Sequence, residues 1–179
     1  NDIVQACNAS VLHLAREATV LLAHAMERIG DQFAIHGFCS NGRHEVRYQR
    51  FKAFGWPFDE HVKARLAGMR GQLSTRMGGA IRHATGWLRS RHSDRKLILL
   101  ITDGEPHDID VHDSKYLMFD AKKAVDEASR AGILTYCMSL DPKADRYVSR
   151  IFGQRNYMVL DHIRRLPEKL PMLYMRVTN

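Results

Sequence analysis

Apolar residues Val11, Leu14, Ala15, Ala18, Leu21, Leu22, Ala25, Met26 and Ile29 recur at steps of three and four. That period lines them up on one stripe and predicts a long amphipathic helix, with Ser10 as N-cap and Gly30 as stop. The pattern then changes. Residues 33–39 read as a strand, and Ser40-Asn41-Gly42 as a tight turn. Residues 45–51 alternate weakly and, with Lys52, bring basic side chains onto one strand, as an antiparallel edge strand does. Trp56-Pro57 breaks the chain before a short helix over 59–69. A loop over 71–75 leads to a helix over 79–88, with Ile81, Ala84 and Leu88 inward.

The second half is more regular. Leu97-Ile98-Leu99-Leu100-Ile101 is an unbroken apolar run, expected to be a strand covered on both faces in the middle of a parallel sheet. It ends abruptly in Thr102-Asp103-Gly104-Glu105-Pro106. A helix over 114–131 presents Leu117, Ala121, Ala124, Val125 and Ala128 on one face, with Asp113 or Ser114 as cap and Gly132 as stop. A buried strand over 133–140, a short helix over 144–151, a strand over 157–160 and a helix over 163–174, entered through Pro167, complete the series. Strands alternating with helices predict a single α/β domain over 1–179, Rossmann-like, with a doubly wound and mostly parallel sheet and one antiparallel edge strand.

The net charge of +7 raises the question of nucleic acid, but the basic residues are scattered, without a stripe interleaved with aromatics. An acidic protein partner fits the charge as well. No apolar run reaches the roughly 20 residues of a membrane span, so no membrane insertion is expected. The start, Asn1-Asp2-Ile3, has neither an initiating Met nor the form of a signal peptide, which suggests a C-terminal domain cut from a longer protein. Cys7, Cys39 and Cys137 show no CxxC spacing, as expected of free thiols in a reducing, cytoplasmic setting.

Two segments carry candidate chemistry. One is Leu73-Ser74-Thr75-Arg76-Met77-Gly78-Gly79-Ala80-Ile81, the other Thr102-Asp103-Gly104-Glu105. Open α/β sheets bind ligands beyond the carboxyl ends of their strands, where Asp103 is expected. A hydroxyl from Thr75 and a carboxylate from Asp103 are hard oxygen ligands suited to Mg²⁺ or Mn²⁺. Asp103 read alone is more simply a turn residue beside Gly104; Thr75 in its matching context is what favours a metal. His107-Asp108-Ile109-Asp110-Val111-His112-Asp113 lacks the spacing of a zinc site and the glycine of a calcium loop, and reads as rim and helix cap. His36 reads as a packed histidine. Arg43, Arg47 and Arg50 form either a docking patch or a solvated edge. Trp56 and Phe58 are core residues or a partner anchor.

Thr75-x-x-Gly78-x-Ala80-Ile81, followed by a buried strand ending Thr102-Asp103-Gly104, resembles the von Willebrand factor A domain. The stretch 37–48, Thr102-Asp103-Gly104-Glu105-Pro106 with Asp108-Ile109-Asp110, Ser139-Leu140-Asp141-Pro142 and Leu166-Pro167-Glu168-Lys169-Leu170-Pro171 are similar to the NorD and CbbO type of that family. The resemblance implies sheet order 3-2-1-4-5-6 and a metal-ion-dependent adhesion site, with Thr75 and Asp103 as ligands, direct or through water. It further implies an adaptor, not an enzyme. Such an adaptor works with a MoxR-class AAA+ ATPase and holds a client, Rubisco or nitric oxide reductase, through an exposed acidic residue that completes the metal's coordination. Arg43, Arg76, Glu105, His107 and Asp108 would border the contact.

One departure stands out. The family's first metal motif, Asp-x-Ser-x-Ser at the end of its first strand, does not occur in this sequence. The expectation is therefore a fragment lacking the first strand, with an incomplete metal site and two unpaired strand edges. The competing readings are a metal-dependent hydrolase built on Asp103, Asp108 and Asp110, and a scaffold with a degenerate site. Against the hydrolase, the chain has no nucleophile elbow, phosphate loop or helical His pair.

Overall fold

The long helix forms, and it begins earlier than Ser10. In the computed structural model, which describes residues 2–40, 46–69, 76–107, 111 and 113–178, α1 spans Asp2–Ile29. Nothing in residues 2–10 breaks a helix, and extending an existing helix costs far less than starting one, so Ser10 lies inside rather than at a cap. Gly30 ends it with φ +86° and donates its amide to the Met26 carbonyl at 3.1 Å.

Next comes an antiparallel hairpin, β1 (Ile35–Ser40) and β2 (Val46–Lys52), paired from Ser40–Val46 down to Ile35–Lys52 with an irregularity beside Ile35. The tight turn expected at Ser40-Asn41-Gly42 falls largely outside the described residues, as does the loop over 71–75. Helix α2 (Glu60–Ala67) is capped by Asp59, whose carboxylate accepts from the His61 and Val62 amides. Then follow α3 (Met77–Arg89), β3 (Lys96–Thr102), α4 (Ser114–Arg130), β4 (Ile133–Ser139), α5 (Val148–Phe152), β5 (Tyr157–Val159) and α6 (Leu166–Thr178). Of the two residues proposed to cap α4, Asp113 does so, accepting from the Lys115 amide at 2.9 Å.

The strands form two sheets. One is the β1–β2 hairpin; the other is parallel, in the order β3-β4-β5. This leaves β3 at the edge of the sheet that the described residues form, one of the two unpaired edges expected where the Asp-x-Ser-x-Ser strand is missing. The central, most buried strand is β4. Among the described residues no ladder joins β1 to β3. Both faces of β3 are nevertheless covered, as its composition demands. Ile98 and Leu100 point into a core with Met77, Ile81, Ala121, Ala124 and Cys137. Leu97, Leu99 and Ile101 point the other way, toward Ala18, Leu22, Tyr136 and Leu166. A third cluster, Ala23, Phe51, Phe58, Val62 and Leu66, ties the hairpin to α1 and α2. Trp56 and Phe58 thus divide: Phe58 is core, whereas Trp56 is exposed.

Helices α3 and α4 pack closely because Gly78 has no side chain. A Cβ there would strike the Asp120 carboxylate and lie 3.1 Å from the Asp120 backbone carbon. Arg82 fixes the same interface, reaching Asp120 at 2.9 Å and Glu127 at 2.8 Å. Gly78→Val is expected to lower stability by about 1–3 kcal/mol, read as a reduced urea midpoint, because backbone cannot yield as a flexible side-chain tip can.

His36 of β1 is half-buried and edge-on to Tyr48 and Trp87. Burial lowers its pKa, and the charges of His83 and Arg50 lower it further. Burial also pushes the Tyr48 hydroxyl up to about 12. A histidine whose folded pKa is depressed is charged in the unfolded chain first. Its neutral form therefore contributes stability above an ordinary pKa of about 6.5, and this is lost as pH falls toward the lowered value. His36→Phe should flatten that acid limb in a series of melts across pH.

Candidate metal-binding rim

Helix α3 reaches β3 through residues 90–95 alone. So short a connection makes the helix run back against the strand, which brings the start of α3 to the carboxyl end of β3. The buried Met77, first residue of α3, shares a core with Ile98 and Leu100 of β3. Arg76, immediately before it, is half-buried at the helix start.

Beyond β3 the chain turns at once. The Thr102 hydroxyl is buried and donates to the Gly104 carbonyl at 3.1 Å, so it shapes the turn. Asp103 is left exposed at its apex. Among the described residues no group donates a hydrogen bond to its carboxylate or pairs with it. Glu105 and His107 follow, both exposed. Thr75, Arg43 and Asp108 lie outside the described residues. Among those described, no three His, Cys, Asp or Glu side chains converge as a metal cluster. What the rim does offer is an exposed, unpartnered carboxylate, a hard oxygen donor of the kind Mg²⁺ and Mn²⁺ take.

The neighbouring strand end is more elaborate than the sequence suggested. The Leu140 amide donates to the Thr102 carbonyl at 2.8 Å, locking the ends of β3 and β4 together. Asp141 then folds back: its amide donates to the Ser139 hydroxyl at 3.2 Å, and its carboxylate accepts from the Lys143 amide at 2.9 Å and the Tyr147 hydroxyl at 3.2 Å. Burial, above all, raises the Tyr147 pKa, so the hydroxyl stays a neutral donor. Sequence reading passed over Tyr147; the signal was an aromatic residue six positions after an Asp-Pro turn.

Among the described residues no helix is long and apolar enough to cross a membrane. Cys39 is half-buried and Cys137 buried, both as free thiols.

The chain matches the von Willebrand factor type A domain over residues 5–165. It is 36% identical over 150 residues to Protein NorD of Stutzerimonas stutzeri, covering 84% of this chain and 24% of that protein. It is 34% identical over 167 residues to Protein NorD of Brucella melitensis biotype 1, covering 93% and 26%, and equally similar to Protein NorD of Brucella suis biovar 1. The chain thus spans about a quarter of the length of the curated relatives it matches. Parallel β3-β4-β5, the antiparallel hairpin and this match together establish that the chain belongs to the von Willebrand factor type A domain family.

Proposed function

We propose that this domain is a metal-dependent protein-binding adaptor rather than an enzyme. The observation that carries the reading is Asp103: an exposed carboxylate, unpartnered among the described residues, at the carboxyl end of β3 in a chain of this family. Asp103 and Thr75 hold one Mg²⁺ or Mn²⁺ together with oxygen ligands that this sequence, lacking an Asp-x-Ser-x-Ser motif, does not supply. When bound, the ion supplies a hard Lewis-acid position that a client carboxylate fills. The turn fixed by Thr102 aims Asp103 outward, and the locked ends of β3 and β4 keep that turn rigid. Arg76 and Arg43 steer the acidic client to the rim; Glu105, His107 and Asp108 border it.

In the longer protein the domain couples that client to a MoxR-class AAA+ ATPase in the cytoplasm. Similarity to proteins named NorD supports nitric oxide reductase as the client, with Rubisco the second candidate. Affinity purification of the full-length protein tests this directly. The client is expected to co-purify in magnesium and to be released by a chelator. Co-purification that is indifferent to the chelator would contradict the tether.

A further inference from the structure

The two tryptophans of the chain, Trp56 after β2 and Trp87 near the end of α3, both belong to one surface cluster. Between them lies Arg50 of β2, its guanidinium carbon 5.5 Å from the Trp56 ring and 5.7 Å from the Trp87 ring. Arg65 of α2 lies 5.0 Å over the same Trp56 ring. Four residues after Trp87, Arg91 lies 4.5 Å over Phe54 and donates to the Gln32 side chain at 2.7 Å. The indole of Trp87 donates to His83 at 3.0 Å, which anchors it on its own helix. Despite this packing the rings are not buried: Trp56 is 40% and Trp87 44% exposed.

Among the described residues the Arg50 side chain has neither a hydrogen bond nor an ion pair; it lies against the two rings, and its charge is felt by His36. The two rings flank the guanidinium without using its N–H groups, which can grip a carboxylate with two parallel bonds. Because the rings have already ordered the side chain, a carboxylate arriving there meets less of the usual entropic cost. Tryptophan and arginine are also the residues that most often dominate binding energy at protein interfaces. The net charge of +7 favours approach of an anionic partner.

We propose that the Arg65–Trp56–Arg50–Trp87 cluster is a docking surface for an acidic polypeptide segment. It is separate from the rim at Asp103. Trp87 lies ten residues into α3 from Met77, about 15 Å along the helix, toward the end of the domain where β3 begins. A polypeptide fits better than a nucleic acid. Guanidinium groups already lie over the rings on which a base would stack.

Fluorescence anisotropy with a labelled peptide of alternating glutamate and glycine tests this on the whole chain. Binding that weakens with added salt is expected. Arg50→Gln should weaken it about fivefold or more. Trp87→Leu should weaken it comparably, although it removes no charge. Arg89→Gln, an exposed position on α3 outside the cluster, should leave it unchanged, and chelator should have no effect. Circular dichroism melts of each variant separate loss of the surface from loss of the fold. The proposal is overturned if the peptide does not bind at low salt, if folded Arg50→Gln or Trp87→Leu binds like the parent, or if Arg89→Gln costs as much as Arg50→Gln. It is overturned equally if chelator releases the peptide, which would assign it to the rim. Tighter binding of a single-stranded RNA oligonucleotide, or self-association of the chain abolished by Arg50→Gln, would install a different occupant.

Discussion

Asp103→Ala is expected to abolish metal-dependent capture of the client by the full-length protein, with a loss on the order of a hundredfold or more. Removing a group that merely orients a metal ligand costs roughly 10–100-fold in metal affinity, and a direct ligand contributes no less. The side chain is exposed and bonds to no described residue, so the change should leave stability within about 0.5 kcal/mol. Two further variants sharpen the result. Asp103→Asn keeps the shape and removes the charge, and should behave like alanine. Thr102→Val removes the hydroxyl that closes the turn while leaving the carboxylate in place. It should weaken capture without abolishing it. Calorimetric titration with Mn²⁺, followed by pull-down in magnesium, measures both halves. Undiminished capture by Asp103→Ala would remove the basis for the adaptor reading. Turnover of a phosphate or carboxylic ester that Asp103→Ala abolishes would replace it with the hydrolase.

The largest effect on the fold is expected at Tyr147. Its ring is 1% exposed in the core beneath α3, α4 and α5, and its hydroxyl donates to Asp141 at 3.2 Å. Tyr147→Ala removes a fully buried aromatic ring and leaves a cavity between elements that cannot close over it, a loss of about 3–5 kcal/mol. Tyr147→Phe keeps the ring and deletes only the hydrogen bond, a loss of about 0.5–1.5 kcal/mol. The ratio between the two, measured by urea unfolding, separates packing from the polar tether. Similar losses from both would mean that the Asp141 turn, and not the ring, holds α5 in place. Tyr147→Phe should also loosen the turn after β4, and with it the neighbouring rim, so a modest weakening of Mn²⁺ binding is expected alongside it.

Most elements could be read directly from periodicity because each has one buried stripe. The alanines of α4 at positions 121, 124 and 128 are all fully buried, as their spacing required. The readings that failed did so where a non-local fact decides. The helix expected over 144–151 is split into a 3-10 turn, Ala144–Arg146, and α5. Tyr147 leaves helical geometry at φ −126°, where its ring enters the core and its hydroxyl meets Asp141. Lys52, which the sequence groups with the basic residues of the edge strand, is buried, with its ammonium donating to the Phe33 carbonyl at 2.8 Å. At the rim, Asp103 could be recognised from the strand that ends beside it. Arg50 with its two tryptophans could not, because β2, α3 and the segment between β2 and α2 meet only in the folded chain.

Two ladders without a shared strand also shape how the molecule opens. Backbone hydrogen bonds hold β1 to β2, β3 to β4 and β4 to β5, and among the described residues no ladder joins the two groups. Amide hydrogens in β1 and β2 should therefore exchange with deuterium through a partial opening that leaves β4 protected. The hairpin with α2 would behave as one cooperative unit, and the parallel sheet, centred on β4, as the slowest part of the chain to give way.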